Sequence, residues 1–217
     1  MKPVLFCDFD GVINQFPYIY SRVMDADDRA GFEAVGLEII KLGLNDWALQ
    51  KQVFDDSKFF APDGRFFAKA ENGEFLINYS SEMVDRLRSL IVSDKVEFIW
   101  LTTWREHTAM LNEKLGFPDM VSWLPWQQRM SDYNHAGKGH AIADWFEDNP
   151  EFSDRKWVWL DDVATRSFCN WNENEGFVEP PRKLEAANIN CLILDTDDTW
   201  GISREQMNII ETFVSGV

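Results

Sequence analysis

Four short runs of apolar, β-branched and aromatic residues stand out along the chain: Val4–Cys7, Val96–Leu101, Trp157–Leu160 and Cys191–Leu194. Each is nearly continuous rather than alternating, the pattern of strands buried on both faces of a sheet. Helical patterns separate the later runs. Ser81–Ile91 places apolar residues at helical spacing behind a Ser80 or Ser81 cap. His107–Leu115 repeats the pattern after the second strand, and Gly116 is its natural stop. Gly139–Phe146 supplies a helix before the third strand. A final helix opens at Ser203-Arg204-Glu205-Gln206, with Met207, Ile209, Ile210 and Phe213 expected on its inner face. Strands alternating with helices predict parallel crossovers, and so an α/β, Rossmann-like three-layer sandwich around a mostly parallel sheet. Ligands of such sheets gather at the carboxyl ends of the strands.

The stretch from Asn14 to about Tyr79 breaks this alternation. Up to about Val53 it looks helical but is interrupted by Gly31, Gly36 and Gly43. Beyond that, Arg65–Ala70 and Glu74–Ile77 flank Glu71-Asn72-Gly73, a strong hairpin signal. Residues 15–79 are therefore expected to form an insertion, or small cap region, over the sheet's carboxyl edge within a single domain spanning 1–217. Asn170–Glu175 and Pro180-Pro181 mark loops.

Composition narrows the function. A chain of 217 residues with 45% hydrophobic content fills one sizeable core. No stretch approaches the roughly 20 apolar residues that cross a bilayer, and the apolar run before Asp8 is too short for a signal peptide. A cytoplasmic location is the expectation. Cys7, Cys169 and Cys191 are widely separated among apolar neighbours, which reads as buried thiols rather than a disulfide or zinc framework. The net charge of -16 disfavours a broad nucleic-acid groove, because such grooves rely on Lys and Arg. It leaves open a single terminal phosphate held by a metal, and it supplies carboxylates for a divalent cation.

Candidate chemistry sits at the strand ends. The first strand runs into Asp8-Phe9-Asp10-Gly11, two carboxylates one residue apart on a chain that must turn sharply. A calcium loop is disfavoured, since the later acidic ligands and terminal glutamate of an EF-hand are missing. The second strand ends in Thr102-Thr103-Trp104-Arg105, where a hydroxyl and backbone N–H groups would bind a phosphoryl oxygen. Lys138 starts a helix and would neutralise phosphate charge. The third strand ends in Asp161-Asp162, a pair too costly to bury without a cation or donors. One of the two would complete an oxygen-rich magnesium site with Asp8 and the backbone carbonyl of Asp10. Gly11, Thr103 and Arg105 are the adjoining candidates for substrate contact.

The ordered set Asp8-x-Asp10-Gly11, Thr102, Lys138 and Asp161-Asp162 resembles the four motifs of the haloacid dehalogenase-like (HAD) phosphohydrolase superfamily. Within it, Leu101–Trp104 and the tail Leu194-Asp195 to Gly201–Glu205 are similar to small HAD domains associated with bacterial RNA-repair proteins. The resemblance implies a magnesium-dependent phosphomonoesterase. Asp8 would attack phosphorus and form an aspartyl-phosphate, and Asp10 would donate and then accept the proton. Thr102, Lys138 and Mg2+ would stabilise the transferring group. Asp162 aligns with the direct metal ligand, and Asp161 with a water-mediated or orienting one. Asp10 favours phosphatase over dehalogenase chemistry, because the dehalogenase branch lacks that second aspartate.

The expected partner is a small phosphorylated substrate. One rival reading is a 3′ or 5′ phosphatase on nucleic-acid ends, and another is a non-catalytic scaffold for a protein or phosphate ligand. Of the ten tryptophans, Trp100, Trp157 and Trp159 read as core. Trp104, Trp123 and Trp126 are candidates for an aromatic wall around a substrate ring. His107, His135 and His140 lack metal-ligand spacing, and Arg129 joins Arg105 as a candidate phosphate contact.

Overall fold

The four apolar runs do pair side by side, and the order in which they pair sets the position of the site. Cys191–Leu194, an edge strand with a neighbour on one side only, is half-buried rather than buried. The structure, a computed structural model, describes residues 2–16, 54–70, 73–126, 136–165 and 190–216. In chain order these form β1 (Val4–Cys7), β2 (Gly64–Ala70), β3 (Gly73–Tyr79), α1 (Ser81–Val92) and β4 (Glu97–Trp100). Then come α2 (Thr108–Leu115), β5 (Ser122–Trp123), α3 (Ala136–Asp148), β6 (Trp157–Asp161), β7 (Cys191–Asp195) and α4 (Arg204–Ser215).

The main sheet has the order β5-β4-β1-β6-β7, with every neighbouring pair parallel. From β1 the chain builds outward to β4 and β5, then returns to add β6 and β7 on the other side. The reversal opens a crevice between the carboxyl ends of β1 and β6, where parallel sheets bind their ligands. β5 was not foreseen, because two residues are too few to carry a periodic pattern.

Alternation along β1 fills both layers. Leu5 and Cys7 pack with Met83 and Leu87 of α1 and with Met207 and Ile210 of α4. Val4 and Phe6 face the other way, against Ile142 of α3. Burying each side chain of the size of Leu5 or Phe6 contributes roughly 1.5–3 kcal/mol, which helps offset the charge gathered at the strand ends. Ser80 caps α1 by accepting the Met83 N–H at 3.4 Å. Ser203 and Gln206 form a capping box on α4. Met207, Ile210 and Val214 make the inner stripe of α4, whereas Ile209 is exposed. It stands one position off the three-and-four spacing, so its place on the inner face is corrected. α3 starts earlier than the pattern suggested, at Ala136, which puts Lys138 inside its first turn.

β2 and β3 pair antiparallel with Ala70 opposite Gly73, the hairpin that the Asn72-Gly73 signal predicted. Glu71 and Asn72 themselves, the earlier part of the expected insertion from 17 to Val53, Asn170–Glu175 and Pro180-Pro181 lie outside the described residues, as do Cys169, His135 and Arg129. The hairpin sits against the turn that follows β1. The Gln15 N–H donates to the Asn78 carbonyl at 2.7 Å, and the Asn78 N–H donates to Asn14 Oδ1 at 3.1 Å. Among the described residues no helix is long and apolar enough to cross a membrane.

Candidate active site

Register brings the acidic groups together. Cys7 lies beside Leu160, and the Asp8 N–H donates to the Leu160 carbonyl at 2.9 Å. The next residue on β1 is thus Asp8 and the next on β6 is Asp161. On the other side, the Leu101 N–H donates to the Cys7 carbonyl at 2.8 Å, which sets Thr102 just past the end of β4 beside the same crevice.

Past Asp8 the chain curls on itself. The N–H groups of Val12, Ile13 and Asn14 all point at the Phe9 carbonyl, at 3.3, 2.9 and 2.8 Å. Gly11 takes φ +67°, and a Cβ there would lie 2.4 Å from Asp162 Cγ. Glycine is required twice over, by the left-handed backbone and by the carboxylate pressed against it. Distant residues clamp this turn: Thr196 Oγ1 donates to the Gly11 carbonyl at 2.8 Å, and the Ile202 N–H donates to the Val12 carbonyl at 3.1 Å.

Lys138 is 1% exposed and donates to Oδ2 of both Asp8 and Asp161, the latter at 2.6 Å. The second oxygen of Asp8 accepts the Phe9 N–H at 2.7 Å. That of Asp161 accepts the N–H groups of Val163 and Ala164 at 2.9 and 2.5 Å. Both oxygens of Asp161 are therefore committed to protein donors. Asp162, by contrast, is half-buried, with its carboxylate over Gly11.

The electrostatics follow from this crowding. Burial pushes the Asp8 carboxyl up to about 8, against the pull of Lys138 and with help from the Asp161 charge. Burial, then the Asp161 charge, pushes Asp162 up to about 6. Burial also works against the Lys138 ammonium, but Asp8 and Asp161 overcome it and hold the group protonated above the usual lysine range. Asp10 is raised by burial, in opposition to hydrogen bonds from Asn14 and Trp104.

One carboxylate oxygen from each of Asp8, Asp161 and Asp162 lies within 4.8 Å of the others. Once all three are ionised, three carboxylates stand beside one ammonium, an excess of two negative charges in a largely buried place. A divalent cation would neutralise that excess, and an all-oxygen donor set suits a hard one.

Thr102 is fully buried. Its hydroxyl accepts the Trp104 N–H at 3.4 Å, and its carbonyl accepts the Trp126 indole N–H at 3.2 Å. Thr103 and Arg105 are exposed on the loop that follows. Arg105 sits at φ 44°, its guanidinium 5.9 Å from the Trp126 ring. His107 and His140 are half-buried and stand outside the acidic group. The aromatic wall expected from Trp104, Trp123 and Trp126 does not form as such. Trp104 and Trp126 are 8% and 5% exposed, their indole N–H groups directed at Asp10 and Thr102. Trp123 packs in part against the core. Sequence reasoning passed over Asn14, whose amide donates to Asp10 Oδ1 at 2.7 Å. The only signal was a side-chain amide four residues after an acidic one.

A family model described as "HAD domain in Swiss Army Knife RNA repair proteins" matches residues 4–184, most of the chain. No curated protein and no solved structure matches it significantly.

Proposed function

The chain belongs to the family of HAD domains in Swiss Army Knife RNA repair proteins, and from that premise we propose that it is a magnesium-dependent phosphomonoester hydrolase. The observation that carries this reading is the joint burial of Asp8, Asp161 and Lys138 in the crevice between β1 and β6, with Asp162 against Gly11. Such a charge cluster is expensive to keep, and a phosphate ester with a divalent cation supplies the partners it lacks.

In the proposed reaction Asp8 Oδ attacks phosphorus in line with the ester oxygen. The Asp8 O–P bond forms as the P–O bond to the alcohol breaks, and Asp10 gives its proton to the departing oxygen. Asp10 then takes a proton from the water that cleaves the aspartyl-phosphate, which releases phosphate and restores both carboxyl groups. Lys138 holds Asp8 in one orientation and meets the negative charge of the transferring group. The Thr102 hydroxyl, with the N–H groups of the loop from Thr103 onward, serves as donor to phosphoryl oxygens, and exposed Arg105 as an outer contact. Asp8, the Asp10 carbonyl and Asp162 would hold magnesium, with Asp161 orienting Lys138 rather than binding the ion. Bound there, the cation supplies charge neutralisation for the transferring phosphoryl group.

The family description favours a phosphate at an RNA end as the substrate. The net charge of -16 fits a grip on one terminal nucleotide better than a long groove. The test offers the protein, with magnesium, an aryl phosphate, mononucleotides and RNA oligonucleotides bearing 3′ or 5′ phosphates, beside Asp8→Asn. Magnesium-dependent phosphate release that Asp8→Asn abolishes supports the reading, and preference for oligonucleotides supports the RNA-end form. Equal activity of Asp8→Asn and the parent would remove Asp8 as nucleophile.

A further inference from the structure

Asp10 is held at both oxygens. Asn14 Nδ2 donates to Oδ1 at 2.7 Å and Trp104 Nε1 donates to Oδ2 at 2.8 Å. Neither donor is free to swing. The Asn14 amide is oriented by its own oxygen, which accepts the Asn78 N–H of β3 at 3.1 Å. The Trp104 ring is wedged edge-on between Phe9 and Phe75, with centroids 5.6 and 5.7 Å away. It is 8% exposed, and its N–H is spent on Asp10 alone among the described residues.

A carboxyl that must hand a proton to one departing oxygen gains from having one rotamer, since misplacing a proton donor weakens its contribution to the transition state. An unclamped Asp10 would turn about its Cα–Cβ and Cβ–Cγ bonds. We propose that Trp104, assisted by Asn14, is a positioning residue that fixes the Asp10 carboxyl toward the leaving-group oxygen. The inference rests on the reading of Asp10 as proton donor given above. It explains why a buried tryptophan follows Thr102-Thr103. One loop then serves both partners of the bond being broken, Thr102 beside the phosphoryl group and Trp104 behind the acid that serves the alcohol. It also gives the hairpin a part in the site, because Phe75 and Asn78 brace the two donors.

The test uses leaving-group dependence. Trp104→Phe keeps the ring and its packing but removes the N–H. From nitrophenyl phosphate the nitrophenolate departs without protonation, whereas the alkoxide leaving from an alkyl phosphate such as a nucleoside monophosphate needs the proton. For Trp104→Phe, kcat/KM on the alkyl ester should fall on the order of 10- to 100-fold, part of the general-acid contribution, while that on the aryl ester changes less than about 3-fold. Asn14→Ala should show the same selectivity from the other oxygen, and Asp10→Asn the same selectivity to a greater depth. A folding defect lowers both substrates in proportion, so the ratio isolates positioning. Equal losses on both esters, or no loss on either, in both Trp104→Phe and Asn14→Ala overturn the inference while a selective Asp10→Asn leaves the donor reading intact. An unselective Asp10→Asn, or a parent inactive on every ester, removes the donor reading and the inference with it.

Discussion

The Asp162 carboxylate rests directly on the α-carbon of Gly11, so that a single added methyl group would come within 2.4 Å of Asp162 Cγ. The turn that carries Asp10 and the strand end that carries Asp162 are thus in contact with no atom to spare. Gly11→Ala combines this clash with a left-handed φ of +67°, which alone costs roughly 1–2 kcal/mol. The expected outcome is a loss of stability of at least that size in urea unfolding, together with a larger proportional loss of phosphatase turnover.

Removing the buried ammonium should hurt more. Lys138→Met leaves Asp8 and Asp161 facing each other without their shared donor. Breaking a buried pair from one side costs about 3–5 kcal/mol. The sign of the pH dependence is fixed by Asp8, which burial holds up to about 8: such a carboxyl favours the folded state while protonated, and that advantage fades as pH rises toward the folded value. Unfolding at pH 5 and pH 8 should therefore find the variant's deficit smaller at pH 5. A deficit that grows on acidification would contradict the arrangement.

The same linkage governs metal binding. Asp162 is pushed up to about 6 and Asp8 to about 8. In the metal-free protein these groups contribute stability that is fully present below the ordinary carboxylate value of about 4 and lost as pH rises through 6 and then 8. A cation binds the ionised forms, so its stabilising effect must grow over that window. Thermal melts with magnesium or chelator should separate little at pH 5 and clearly at pH 8.

Asp161 and Asp162 should part company when substituted. Asp162→Asn is expected to weaken magnesium binding by about 10-fold or more in calorimetric titration, with little change in stability. Asp161→Ala unmakes hydrogen bonds to Lys138, Val163 and Ala164 at once, and each buried donor left unpaired costs roughly 1–3 kcal/mol. Its main effect should appear in unfolding. Reversed outcomes would make Asp161 the metal ligand.

How much of this was visible beforehand depended on distance along the chain. Val4–Cys7 and Trp157–Leu160 announce themselves because strands buried on both faces must be continuously apolar, and each ends abruptly in carboxylates. Local chemistry likewise marked the hairpin at Asn72-Gly73, a cap at Ser80 or Ser81, and the opening of the last helix at Ser203. The proposed division of labour between Asp161 and Asp162 came from the family resemblance alone, not from local pattern. Which of the two carboxylates accepts the Val163 and Ala164 N–H groups is a matter of three-dimensional placement. The contact of Trp104 with Asp10 spans 94 residues, and no periodicity encodes such a meeting. A tryptophan near a site suggested a surface for substrate, whereas packing with Phe9 and Phe75 turned it inward.

The clamp of Thr196 and Ile202 on the Gly11–Val12 turn has a bearing on how the molecule comes into being. Thr196 and Gly11 stand 185 residues apart, and they lie on either side of the residue-184 limit of the family match. A chain leaving the ribosome exposes Asp8 and Asp10 long before it has made the residues that pin their turn. Loop closure over such a span is slow to be rewarded, so the pinning of the Gly11–Val12 turn is a contact of high sequence separation that must wait for the far end of the chain. Nascent or truncated chains lacking Thr196–Ile202 would carry Asp8 and Asp10 on a turn without the donors that pin it.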